Sequence, residues 1–170
     1  MKIYCFKVCL KYRKGIWRVI EIKDSQTLKD LDNAVQGVFE HEYGHLSEFT
    51  IKGLTYCPSK AMGMTDFDHS TDVEIKSLNL DVGCQMKYVY DFGDYIEHIV
   101  ELIDTKEEGD NKKYPRVAEK NKTRYRYCQK CKPKKKVVAT WRCYECKQNL
   151  CDDCCEKDDD HSHMIGEIIY

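Results

Sequence analysis

The sequence predicts an α+β fold: a β-grasp-like mixed sheet with one main helix, followed by a small domain built on two zinc ions. Three observations carry that prediction. Alternating side chains open the chain as two strands, one amphipathic helix with a capping signal follows, and the last 43 residues hold cysteines and histidines at metal-ligand spacing. With 42% apolar residues, a chain of 170 residues can bury one core and carry one small metal-stapled module. The expected domains are 1–105 for the α+β part, 106–127 for a basic linker or domain extension, and 128–170 for the zinc module.

Each element follows from local pattern. Tyr4, Phe6, Val8 and Leu10 alternate with Cys5, Lys7 and Cys9, and Arg13-Lys14-Gly15 is the expected turn into a strand over 16–22. Thr27 and Asp30 supply a capping signal, and Leu28, Leu31, Val35, Val38 and Phe39 line one face at helical spacing. Gly44 is the expected helix stop. Residues 45–52 read as a strand, although Leu46 and Phe49 stand three apart, off strict alternation. A polar loop over 58–70 leads to a second hairpin, 85–90 and 95–102, around Asp91-Phe92-Gly93-Asp94.

The zinc prediction rests on Cys128-x2-Cys131-x11-Cys143-x2-Cys146-x4-Cys151-x2-Cys154-x6-His161-x-His163. A C-x2-C knuckle presents two thiolates to one ion, and structural zinc takes four such ligands, so eight serve two ions. Cys155 can replace Cys154 without changing the count. Spacing allows either interleaved or sequential pairing of the knuckles. With all positions filled by protein, neither ion keeps an open position for water or substrate.

The order of these pairs resembles the B-box family over about residues 128–165. The resemblance implies a cross-brace in which Cys128, Cys131, Cys151 and Cys154 hold one ion, and Cys143, Cys146, His161 and His163 the other. It also implies a protein partner. The first loop and the last ligand spacing depart from many members.

Charge is segregated. Residues 1–111 carry net −7, residues 112–136 net +11, and residues 137–170 net −5. Within the basic block, Lys112, Lys113, Arg116, Lys120, Lys122, Arg124, Arg126, Lys134, Lys135 and Lys136 are interleaved with Tyr114, Tyr125 and Tyr127. That composition suits phosphate neutralisation and base stacking, so nucleic acid is one expected partner of 112–136. It equally suits compensation of a thiolate site, and of the acidic run over 152–160, within the chain.

Cys5, Cys9, Cys57 and Cys84 form no disulfide pattern, and the first ten residues contain Lys2 and Lys7 with no continuous apolar run. No stretch approaches the ~20 apolar residues of a membrane span, so a cytoplasmic protein without membrane contact is expected. Oligomeric state is not encoded in any of these signals.

Leu28 and Leu31 in the helix, His45-Leu46 and Phe49 after it, and Tyr88-Val89-Tyr90-Asp91-Phe92-Gly93-Asp94-Tyr95 with His98 resemble the family named after the third open reading frame of the Ri plasmid. The likeness spans roughly 1–118 and implies an α+β fold without an established activity. Related proteins are described as TnpR-like passengers of an insertion element, an association by genetic neighbourhood. Ile96 stands where Trp is common, and the zinc module replaces the usual Pro-Glu-Asp and Gly-Gly tail.

Two motifs imitate catalytic signatures. His41-Glu42-Tyr43-Gly44-His45 spells H-E-x-x-H, but an expected helix end at Gly44 denies the two imidazoles one helical face. Asp91-Phe92-Gly93 lacks the phosphate and catalytic loops of a kinase and reads as a turn. Asp91, Asp94, Glu97 and His98 remain as a candidate cation or acid–base cluster, with an alternative as turn and sheet hydrogen bonds, Gly93 supplying positive φ. The combined expectation is a non-enzymatic zinc-binding adaptor, with a nucleic-acid-binding protein or an enzyme acting near this hairpin as the alternative.

Overall fold

Two units emerge from the folding of this chain, Met1–Asn121 and Lys122–Tyr170. The first runs β1 (Lys2–Leu10), β2 (Arg13–Lys23), α1 (Leu28–Val38), β3 (Ser47–Ile51), β4 (Leu54–Cys57), β5 (His69–Ser70), β6 (Gln85–Tyr90), β7 (Ile96–Glu107) and β8 (Arg116–Lys120). The second contains β9 (Trp141–Cys143), β10 (Asn149–Leu150), α2 (Asp152–Glu156) and β11 (Ile165–Glu167). The computed structural model describes residues 1–42, 44–63, 66–107, 112–131, 135–157 and 164–170. His161 and His163, expected as metal ligands, lie outside the described residues, as does Lys134.

Eight strands form one mixed sheet in the order β5-β4-β3-β6-β7-β1-β2-β8. Its single parallel pair is β4 with β5. With one main helix, this is the expected α+β architecture. The opening turn differs from expectation: it is Lys11-Tyr12, and Arg13 already pairs with Leu10 across a register shift. A second shift, between Cys5 and Phe6 against β7, changes the phase of alternation. Ile3 and Cys5 are therefore buried before it and Phe6, Val8 and Leu10 after it, while Tyr4 is half-buried.

The Thr27–Asp30 capping box starts α1 as predicted. Its end is a correction, because the helix stops at Val38, well before Gly44. Glu40 takes the left-handed conformation at φ 57°, and the His41 amide donates to the Gln36 carbonyl at 3.0 Å, closing a Schellman turn. Leu28, Leu31, Val35 and Phe39 bury the apolar stripe. Asp32 and Gln36 share that stripe: the Asp32 carboxylate accepts from Gln36 at 2.9 Å, Ser47 at 2.9 Å and Tyr88 at 2.7 Å, tying α1 to β3 and β6. Burial, with Asp32 beside it, pushes the Tyr88 phenol well above its ordinary pKa, so it stays a donor.

The strand expected over 45–52 is β3, and β4, which sequence reasoning did not place, follows it in a hairpin. Lys52 and Gly53, both at positive φ, turn the chain from β3 into β4, the pattern of a tight primed turn. Ser47, Phe49 and Ile51 alternate inward, and Leu46, which spoiled the pattern, lies outside the strand. Part of the segment expected as a basic linker or extension forms the edge strand β8, paired with β2. There Arg116 Nε donates to Glu21 at 2.6 Å and Lys106 also pairs with that buried carboxylate. Burial resists ionisation of Glu21, but the two cations outweigh it and lower its pKa.

In the second unit β9 sits between β10 and β11. Leu150, Cys128 and Cys151 form its small core, with Val137 and Trp141 packed against it. Asp152, at the start of α2, accepts from the Thr140 hydroxyl at 2.8 Å and the Trp141 indole at 2.9 Å. The Tyr170 hydroxyl donates to the Ala139 carbonyl at 2.7 Å.

Candidate functional site

Four thiols converge in the second unit. Cys128 follows an isolated bridge between Tyr127 and Val138, and its amide donates to the Val137 carbonyl at 2.9 Å. Cys151 is the N-cap of α2, so Cys154 lies one turn on, its amide bonded back to the Cys151 carbonyl at 3.1 Å. The Sγ atoms of Cys128, Cys131, Cys151 and Cys154 all lie within 4.8 Å of one another. Cys131 Sγ is 3.7 Å from both Cys151 and Cys154. A tetrahedron of ~2.3 Å metal–sulfur bonds has edges of about 3.8 Å, so this donor set fits one metal ion. The first and third knuckles meet here, the interleaved arrangement, and Cys154 rather than Cys155 supplies the fourth Sγ.

The thiols are electrostatically unequal. Burial opposes ionisation of Cys128, but backbone hydrogen bonds from Cys151, Cys131 and Lys130 win and bring its pKa to about 6. Hydrogen bonds with Cys151 and Cys131, then burial, push Cys154 up to about 12, and Cys131 is raised chiefly by its bond with Cys151. One easily ionised thiol in the set is a starting point for a soft cation, whose binding displaces the protons still held by Cys131 and Cys154. Of the other expected set, Cys143 is buried and accepts the Cys146 amide at 3.2 Å, while the Cys146 side chain is exposed. Their histidine partners are outside the described residues.

The H-E-x-x-H segment divides at the helix end. The Schellman turn carries His41 inward, where its Nε2 lies 3.2 Å from His98 Nε2 and its ring stacks on Tyr90 at 4.4 Å. His45 turns to Asp91 instead, Nδ1 to carboxylate 3.0 Å. Different partners hold the two imidazoles. Burial lowers His41 to about 4, and burial followed by the His41 neighbour lowers His98 to about 3, against an opposing pull from the Ile96 carbonyl. Both are neutral at pH 7, one donating and the other accepting.

The cluster of Asp91, Asp94, Glu97 and His98 does not converge, because adjacent strand residues face opposite sides. His98 is buried beside His41 rather than paired with a carboxylate. Glu97 takes Lys11 at 2.8 Å and Tyr12 at 2.8 Å on the other face. Asp94 lies exposed in the turn. Asp91 accepts the Gly93 amide at 2.8 Å, closing an Asx turn as expected. The positive φ is not at Gly93: Asp91 and Tyr95 carry it, each at 53°.

In the basic block, Arg116 and Lys23 lie over the Tyr114 ring and Lys136 over Tyr127, so several of its charges and aromatics are satisfied within their own units. Sequence reasoning missed Asp32 and the partnership of His41 with His98. The first had a signal, a carboxylate four residues after Leu28 on the apolar stripe; the second joins positions 57 residues apart and had none.

Residues 2–128 match the model of a family described as plasmid pRiA4b ORF-3-like protein. The match stops at Cys128, so the remaining metal-type ligands lie beyond it. A crystal structure of a protein of unknown function from Methanosarcina mazei Go1 is similar, with a TM-score of 0.62 and 26% identity over 70% of this chain and 69% of that one. No curated protein matches. Among the described residues no helix is long and apolar enough to cross a membrane.

Proposed function

This chain belongs to the plasmid pRiA4b ORF-3-like family, and from that premise we propose that it is a non-enzymatic, zinc-binding adaptor whose family domain is extended by a metal-organised interaction module. The observation that carries this reading is the four-cysteine cluster of Cys128, Cys131, Cys151 and Cys154. Four protein ligands close a tetrahedral site, which fixes structure and leaves no position for an activated water. Cys143, Cys146, His161 and His163 hold the second zinc in a cross-brace like that of B-box domains. The partner is a protein, and the compartment is the reducing cytoplasm, where thiols stay available for metal. The plasmid in the family's name is the support for an association with mobile genetic elements.

Metal analysis of protein prepared without chelator tests the reading. Two zinc ions per chain are expected, and one or none would contradict it. The rival, nucleic-acid binding through 112–136, is favoured by the net charge of +11 in that block. It requires affinity that falls steeply with salt, and Gln at Lys134, Lys135 and Lys136 would flatten the slope by up to about three units. Submicromolar, salt-sensitive binding at physiological ionic strength would replace the adaptor by this rival.

A further inference from the structure

Three aromatic rings and two carboxylates line a cleft of about 320 Å³ in the first unit, with Val89 as part of its floor: Phe67, Phe92, Tyr95, Glu48 and Asp66. Glu48 and Val89 alternate with Phe49 and Tyr88, which face the core, so the cleft opens on the sheet face away from α1. Its upper wall is the Tyr-Asp-Phe-Gly-Asp turn. Left-handed backbone at Asp91 and Tyr95 shapes that turn, a conformation of some cost for non-glycine residues, and it leaves Phe92 39% and Tyr95 51% exposed.

The lining chemistry selects a cation. The Phe67 and Phe92 ring centroids are 6.3 Å apart at 33°, adjacent aromatic surfaces of the kind that attract ammonium or guanidinium groups. Lys87 meets Tyr95 at the edge of the ring rather than on its face, its Nζ donating to the hydroxyl at 2.9 Å and lying 5.1 Å from the centroid, so the faces of Phe67 and Phe92 carry the aromatic argument. Lys87 shares Glu97, 3.5 Å away, with Lys11 at 2.8 Å, so this trio keeps one positive charge. Among the described residues neither Glu48 nor Asp66 pairs with a cation, and the Glu48 carboxylate accepts from the Thr50 hydroxyl at 3.1 Å. Two carboxylates set against that one remaining positive charge leave the cleft net negative.

We propose that this cleft receives a lysine or arginine side chain from an extended basic peptide of a protein partner. The choice of a peptide rests on the adaptor reading and on exposure: walls this open do not enclose a small ligand as binding cavities do, by ~70–90% of its surface. They do accept one long cationic side chain whose backbone stays outside.

The test is NMR titration of the zinc-loaded, full-length protein with acetyl-Ala-Ala-Lys-Ala-Ala-amide, the same peptide with norleucine for lysine, and n-butylammonium. The expected result is saturable, salt-sensitive shifts at Phe67, Phe92 and Tyr95 with the lysine peptide, and none with the norleucine peptide. Binding should weaken at least tenfold in Glu48→Gln/Asp66→Asn and in Phe92→Leu, each checked for an unchanged melting temperature. Phe92→Leu keeps an apolar side chain but loses the ring face, so it decides the matter if the double variant fails to fold. Equal binding of the two peptides, shifts elsewhere, or no saturable shift overturns the site. Butylammonium binding as tightly as the peptide overturns the peptide as occupant. Zinc content is read separately, so loss of the adaptor reading and loss of the cleft proposal are distinguishable.

Discussion

The two units of this chain solve the problem of stability with different materials. Residues 1–121 bury Phe6, Ile20, Ile22, Leu31, Phe49 and Tyr88 completely between a sheet and one capped helix. Among the described residues of 122–170 the buried apolar side chains are few: Leu150, Ala139 and Ile168, together with the thiols of Cys128, Cys143 and Cys151. Each fully buried large apolar side chain contributes ~1.5–3 kcal/mol, so the first unit accumulates a large core and the second only a small one. On the proposed reading, metal–sulfur bonds supply what the second unit lacks. Sequence far apart can then be joined by ligands rather than by packing.

Stripping metal is the largest expected way to separate the units. Structural zinc contributes on the order of 10 kcal/mol to such modules, more than a core of this size can replace. A strong chelator should abolish the protected amides of β9–β11 while leaving those of β1, β6 and β7 unchanged in hydrogen exchange. Cys151→Ser should remove the metal held with Cys128 and unfold the same segment. Persistence of β9–β11 without metal would end the contrast between the units.

Acid should attack the first unit through His41 and His98. Their folded-state pKa values, about 4 and about 3, lie below the ~6.5 of an unfolded histidine, so the unfolded chain binds more protons as pH falls. The stability tied to keeping both neutral is therefore complete above pH ~6.5 and is lost on the way down to pH ~3–4, by about 1.4 kcal/mol per pH unit for each histidine. Denaturant titrations from pH 7 to 4.5, followed by the near-ultraviolet signal of the sheet tyrosines, read this slope. His41→Phe preserves a ring against Tyr90 and should roughly halve it; an unchanged slope would assign acid sensitivity elsewhere.

A smaller effect comes from the hydrogen-bonded carboxylate on α1. Asp32→Ala leaves Tyr88, Ser47 and Gln36 with unpaired donors in the core, at a cost of about 2–4 kcal/mol. The lower denaturation midpoint should belong to the first unit alone, with zinc content unchanged. Stability within 0.5 kcal/mol of wild type, a difference of ~0.5 kcal/mol being what a surface substitution gives, would remove this anchor from the account.

What was legible in the sequence is what is local. The capping box at Thr27 and Asp30 and the second hairpin act within a few residues, and both read correctly. The knuckle spacing identified ligand pairs but left their partners open, because pairing is a property of the folded loops. In the fold the first and third knuckles converge, as Cys128, Cys131, Cys151 and Cys154, a set that could hold one ion. The misread positions are those where backbone geometry overrides residue type: Glu40 in place of Gly44 at the helix end, the Lys52-Gly53 turn that adds an unexpected β4 after the expected strand, and the register shift that moves Tyr4 out of phase. The inner partner of His98 and the cleft beneath Phe92 depend on distant strands meeting, which no local pattern encodes.

The smallest expected effect distinguishes two turns within the well-packed unit. Gly53 stands at φ +85° with open space around it, so Gly53→Ala meets no clash and is penalised by backbone conformation, about 1 kcal/mol. Gly93 has no such conformation; an added Cβ would sit 3.2 Å from the Asp91 carboxylate that accepts its amide. The carboxylate can give by a few tenths of an ångström, and alanine also restricts the unfolded chain, so Gly93→Ala should cost less than Gly53→Ala, ~0.5 kcal/mol or below. Paired thermal melts of the two variants, read from first-unit signals, measure the difference. A larger loss at Gly93 would mean that the Asp91 cap, and with it the turn presenting Phe92 and Tyr95, is held more rigidly than one hydrogen bond explains.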